Sequence, residues 1–96
     1  MNRFTTKGIL NALPFGSQKV LWDLYDSMTV PEKDYFQVFE LSKAEEEGKP
    51  LQKIRHFQEE PFFEEFCSVP TSKAINEKVY IINDFTHETM LLASEY

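Results

Sequence analysis

With 96 residues, 42% of them hydrophobic and 15% aromatic, the chain has the size of one domain, 1–96, and a composition that excludes disorder. Sixteen acidic against ten basic residues give a formal net charge of -6, which repels a phosphate backbone and weighs against general DNA or RNA binding. The single Cys67 excludes an intrachain disulfide framework and the common structural zinc patterns, and no apolar run is long enough to span a membrane.

The N-terminal stretch MNRFTTKGILNALPF interrupts its apolar positions with Thr, Lys, Gly and Asn, so it lacks a signal-peptide core, and a reducing cytoplasm is the expected compartment. Arg3 to Ile9 is rich in Thr and carries Phe4, the composition of a short edge strand that Gly8 would end with a bend. From Gln18 onward, Val20, Leu21, Leu24, Tyr25 and Met28 follow the spacing that lays an apolar stripe along one face of a helix. Pro14 suits its first turn, Ser17 is an alternative N-cap, and Pro31 stops it for want of an N–H.

Tyr35 to Leu41 and Leu51 to Glu59 have strand composition, and the charged segment SKAEEEGKP between them reads as the long solvated loop of a hairpin. Alternation puts Tyr35, Gln37, Phe39 and Leu41 on one face and Phe36, Val38 and Glu40 on the other, so neither face is cleanly polar. After Pro61, FFEEFCSV alternates as a half-buried strand would, and Thr71 to Glu77 is a connection with room for one helical turn from Ser72. Lys78 to Asn83 is apolar on both faces, the pattern of a central strand. Asp84 to His87 makes a turn, and Met90, Leu91 and Leu92 lie in a last short strand. Together these elements predict an α+β domain, with one main amphipathic helix packed on a mostly antiparallel sheet of about four to six strands.

Several segments, RFTTKGI, LWDLYD, YFQVFELS, QKIRHFQEEP and VYIINDFTHETMLLASEY, together resemble the small bacterial domain-of-unknown-function family nine-sixty, met in staphylococci and related Gram-positive bacteria. The resemblance runs over most of the chain and rests on structural segments, so it implies no activity, cofactor or site residue.

Residues with chemistry are few. His56 shares a strand face with Gln58 and Glu60, and it becomes a general base or metal ligand only if a carboxylate from another strand joins it. Asp84, His87 and Glu88 cluster in the last turn, where polar residues gather for backbone reasons as well. Cys67 has Glu64 and Glu65 beside it, which oppose a thiolate, so it reads as an inert thiol. Trp22 falls away from the helical stripe, near Asp23 and Asp26, and is either packed under another segment or an interface anchor. Glu45, Glu46 and Glu47 read as a solvated run, and the three isolated glycines give no phosphate cradle.

The leading functional expectation is therefore a non-catalytic protein-interaction or regulatory module, with Trp22, Phe36 and Phe39 as interface residues and with no cofactor. Its partner is a second copy, giving a homodimer, or another protein. Two alternatives stand beside it: a small hydrolase or metal-dependent enzyme using His56 or His87 with nearby carboxylates such as Glu60 and Asp84, and an acidic mimic of nucleic acid.

Overall fold

The computed structural model of the chain describes residues 2–96. Its elements in chain order are β1 (Asn2–Thr5), α1 (Lys7–Ala12), α2 (Phe15–Asp26), β2 (Phe36–Glu46), β3 (Lys49–Gln58), β4 (Phe63–Pro70), β5 (Glu77–Asn83), β6 (His87–Leu92) and a closing turn of 3-10 helix, Ala93–Glu95. The six strands form one sheet in the order β1-β6-β5-β2-β3-β4. Every neighbouring pair is antiparallel except β1 with β6, which is parallel. The α+β reading therefore holds, with the sheet dominating two short helices.

The longest hairpin shows how local chemistry sets the frame. β2 and β3 stay in register from Val38↔Phe57 to Glu46↔Lys49, and only Glu47 and Gly48 turn the chain, with φ of 53° and 78°. Two consecutive positive φ values are the signature of a type I′ turn, whose twist matches that of the flanking strands and whose second position suits glycine. The segment expected to be a long loop is thus mostly paired strand. It looks loop-like in sequence because this end of the hairpin projects into solvent and carries exposed, charged side chains.

The first element is also shorter than expected. Strand β1 ends at Thr5 because Thr6 turns the chain into α1, its Oγ1 accepting the Ile9 N–H at 3.3 Å. Gly8 lies inside that helix and is not a bend. Its lack of a side chain makes room for the Glu95 carboxylate, which accepts hydrogen bonds from Gly8 N–H at 3.2 Å, Thr6 Oγ1 at 2.6 Å and Leu92 N–H at 2.9 Å. A Cβ at Gly8 would stand 2.5 Å from that carboxyl group.

Helix α2 begins at Phe15 behind Pro14 and ends at Asp26, well before Pro31, with Ser17 inside it and buried. Leu21 and Tyr25 form the centre of its inner face, Val20 and Leu24 pack at the margin, and Met28, the last residue of the expected stripe, packs on the core from beyond the helix end. Both helices cover one face of the sheet, where Phe39, Leu41, Ile54, Val79, Ile81, Met90 and Leu92 meet Ile9, Leu13, Leu21 and Tyr25. Burying each large side chain of this set contributes on the order of 1.5–3 kcal/mol. Strand β5 lies between β6 and β2, as its two-sided apolar pattern predicts. Ser72 and Lys73 make a turn, without the helical turn allowed for there.

Candidate functional site

Period-two alternation carries every second side chain to the face away from the helices. The register of β2 with β5 and β3 brings Phe36, Val38, Ile82, Tyr80 and Phe57 together there, and the pairing of β5 with β6 adds Leu91. At the centre, Phe36 and Tyr80 have ring centroids 4.6 Å apart, and Tyr96 from the chain's last turn stands edge-on to both at 5.5 Å. Tyr96 remains 75% exposed, so it borders this face without covering it. Toward β4, Phe66 is 72% exposed.

Four charged residues on this face, Arg55, Glu40, Glu64 and Lys78, form one linked cluster. The Arg55 guanidinium lies 4.0 Å over the Phe57 ring and donates to Glu64 at 2.6 Å and to Glu40 at 3.0 Å. Lys78 stands 3.9 Å from Glu40. The carboxylates Glu40 and Glu64 are thus interleaved with cations and do not form the uninterrupted row that a nucleic-acid mimic needs.

The helix-covered face holds the principal buried polar network. Gln58 is fully buried; its amide nitrogen donates to the backbone oxygens of Glu32 at 3.0 Å and Pro61 at 2.8 Å, while its oxygen accepts from Asp34 N–H at 2.8 Å and from Gln37 Nε2 at 2.7 Å. Gln37 Nε2 also donates to Asp34 O at 2.8 Å, which commits its oxygen to the His56 Nε2, 2.8 Å away. Two backbone segments thereby orient two amides and, through them, fix a proton on Nε2 of His56. His56 is stacked on Phe39 with centroids 4.2 Å apart, and its Nδ1 lies 2.7 Å from Glu65. Burial pushes the ring's proton affinity down, and the Glu65 carboxylate works against that shift.

The carboxylate that meets His56 is therefore Glu65 of β4. Glu60 lies exposed in the turn before that strand. His87 is on the opposite face of the sheet, beside Phe4 with ring centroids 5.1 Å apart and with Nε2 3.1 Å from Asp84. Asp84 and His87 do come together, as expected, but Glu88 turns to the helix side, where it accepts from Tyr25 Oη at 2.6 Å and Arg3 Nε at 2.9 Å. With the two histidines on opposite faces, the residues of the hydrolase reading do not assemble into one site. Among the described residues, no group of three His, Cys, Asp or Glu side chains is placed to hold a metal ion.

The expected interface residues separate. Phe36 lies on the open face. Phe39 does not; its side chain points into the core at 0% exposure, because it is the odd-numbered neighbour whose face the helices cover. Trp22 is half-buried on the helix side, with the Arg3 guanidinium 4.5 Å from its ring and Tyr25 6.1 Å away edge-on. It lines a separate cleft with Arg3, Phe4, Leu10 and Phe15. Cys67 is partly buried against the core, and Glu45, Glu46 and Glu47 are exposed at the hairpin tip. Sequence reading missed Tyr80, Tyr96, Phe57 and Arg55 as members of the open face. For Tyr80 the signal was present in KVYIIN, whose second face is as apolar as its first.

A six-stranded, mostly antiparallel sheet with two short helices on one side and an aromatic face on the other defines a class of small α+β protein. The chain belongs to the family described as staphylococcal protein of unknown function (DUF960), whose profile matches residues 2–95. Its fold is similar to that of a crystal structure of a protein of unknown function from Enterococcus faecalis, with a TM-score of 0.79 and 22% identity over 99% of this chain and 90% of that one. No curated protein matches the chain. Among the described residues, no helix is long and apolar enough to cross a membrane.

Proposed function

We propose that this protein is a non-catalytic interaction module that docks through the open face of its sheet, and that its partner is a second copy of the chain. The observation that carries the reading is the Phe36–Tyr80–Tyr96 cluster, three aromatic rings gathered on a sheet face that neither helix covers. Contiguous apolar surface of this kind marks an interface in a folded domain.

Charge favours a second copy. Although the whole chain carries -6, Glu40 and Glu64 on this face are already paired with Arg55 and Lys78, so two such faces meet with these two carboxylates neutralised. A two-fold pairing would stack the aromatic cluster of one protomer on that of its partner.

The test is mass in solution by light scattering across a dilution series, for the natural sequence and for Tyr80→Glu, with circular dichroism to establish that the variant folds. The expected result is a concentration-dependent dimer that the substitution abolishes. Trp22 fluorescence, read on the same samples, should stay constant, since Trp22 lies on the helix side. Tyr96→Glu, at a more exposed position, serves if Tyr80→Glu does not fold. A monomer at every concentration would overturn the choice of partner.

A further inference from the structure

The same face is not apolar throughout. Toward β4 the registers Ser42↔Lys53 and Lys53↔Ser68 set a lysine between two serines on three adjacent strands, and the next row places Arg55 between Glu40 and Phe66. Residues directly opposite one another in a sheet share a face with Cβ atoms about 5 Å apart, so the ammonium arm of Lys53 rises between two hydroxyl groups. These side chains line a groove of about 570 Å3 that also includes Phe66. Its two cations differ in their commitments: Arg55 is held by Glu64 and Glu40, whereas Lys53 forms no ion pair among the described residues.

We infer that this groove is a binding site for an oxyanion carried on an apolar body, a carboxylate or phosphate monoester joined to an aromatic or aliphatic group. Lys53 supplies the compensating charge as a flexible ammonium with three donors, and the Ser42 and Ser68 hydroxyls supply two further donors from either side. Phe66, highly exposed at the groove wall, offers a flat apolar surface for the body of the ligand. Arg55 is already neutralised, so it shapes the groove and leaves the unpaired charge to Lys53. An acidic protein repels anions at long range, so recognition here depends on short-range contact within the groove.

The site lies on the face assigned above to self-association but on its other half, away from Phe36, Tyr80 and Tyr96. The two ideas can therefore be separated. The experiment is a titration followed by 15N–1H spectra, using phenyl phosphate and benzoate as probes and inorganic phosphate as the control without an apolar body. It is run on the natural sequence, on Lys53→Gln, on Phe66→Ser and on Tyr80→Glu.

Saturable shifts centred on Ser42, Lys53 and Ser68 are expected, with at least one aryl probe binding more tightly than inorganic phosphate. Lys53→Gln should weaken binding about tenfold, the effect of losing one charge-assisted contact of about 1.4 kcal/mol. Phe66→Ser should remove the advantage of the aryl probes and leave the weak phosphate response. Equal binding by Lys53→Gln, or no saturable shift at these residues with either aryl probe, would overturn the inference. If Tyr80→Glu is monomeric and still binds the probe, both readings stand. Failure of probe binding in a protein that dimerises sinks the groove alone, and probe binding in a natural sequence that never dimerises sinks the self-association alone.

Discussion

Replacing Gln58 with Leu tests whether the buried amide network holds the loops on either side of it. The change keeps side-chain volume nearly constant, so it isolates hydrogen bonding from packing. In the native fold the Gln58 amide makes four contacts of 2.7–3.0 Å: with the backbone of Glu32, Asp34 and Pro61 and with the side chain of Gln37. Leucine leaves the Asp34 N–H, one donor of Gln37 and the two carbonyls without this partner. At about 1 kcal/mol net for each bond, and more for any group that water cannot reach, the expected loss is about 3–5 kcal/mol. That is a large share of the 5–15 kcal/mol typical of a domain.

Urea unfolding followed by circular dichroism measures the effect as a fall in midpoint at unchanged slope. Hydrogen exchange should show the earliest loss of protection in the segments around Asp34 and Pro61, and the His56 signals should shift because Gln37 loses one of the partners that fix its amide. A loss of less than about 1 kcal/mol would refute the reasoning, since it would mean that these groups find water or new partners at little cost.

Two further outcomes follow from the β5–β6 turn. Phe85 sits at φ 76°, a left-handed conformation that disfavours a bulky side chain, and it is 83% exposed, so Phe85→Gly should stabilise the fold by about 0.5–1 kcal/mol in the same unfolding assay. Asp84 accepts from the His87 and Thr86 N–H groups and from Thr86 Oγ1, which holds its carboxyl at about 2 against an ordinary 3.8. A depressed folded-state value means that the unfolded chain binds the proton first. The stabilisation is therefore complete above about pH 4 and is lost as pH falls toward 2. An NMR titration of the Asp84 side chain and its turn amides should show that window, and should lose it in Asp84→Ala.

Much of this fold is legible from periodicity. The α2 stripe, the alternation of β4 and the two-sided apolar pattern of β5 each reflect burial that repeats along the chain, so a window of residues reveals it. What escaped depends on pairings distant in sequence. SKAEEEGKP has the composition of a loop, and only the type I′ geometry at Glu47 and Gly48 makes it strand. Thr6 ends β1 by capping a helix of six residues, too short to show a period. For the candidate site, Phe36 and Phe39 are equally aromatic and three residues apart, and strand alternation alone separates their faces. Which face faces water is decided by where α2 lies, and that is tertiary information. The Ser42–Lys53–Ser68 row is likewise invisible before the registers of three strands are known.

The parallel pairing of β1 with β6 also orders events in time. Arg3 meets Glu88 across 85 positions and Thr6 meets Glu95 across 89, whereas β2 and β3 close over a two-residue turn. Loop-closure entropy makes the short hairpin quick to form and the long connection slow. On a growing chain the first strand made has no partner until the last is complete. Strand β1 and α1 thus clasp together parts of the fold far apart in sequence, and the Glu95 carboxylate at the start of α1 is the latch of that clasp.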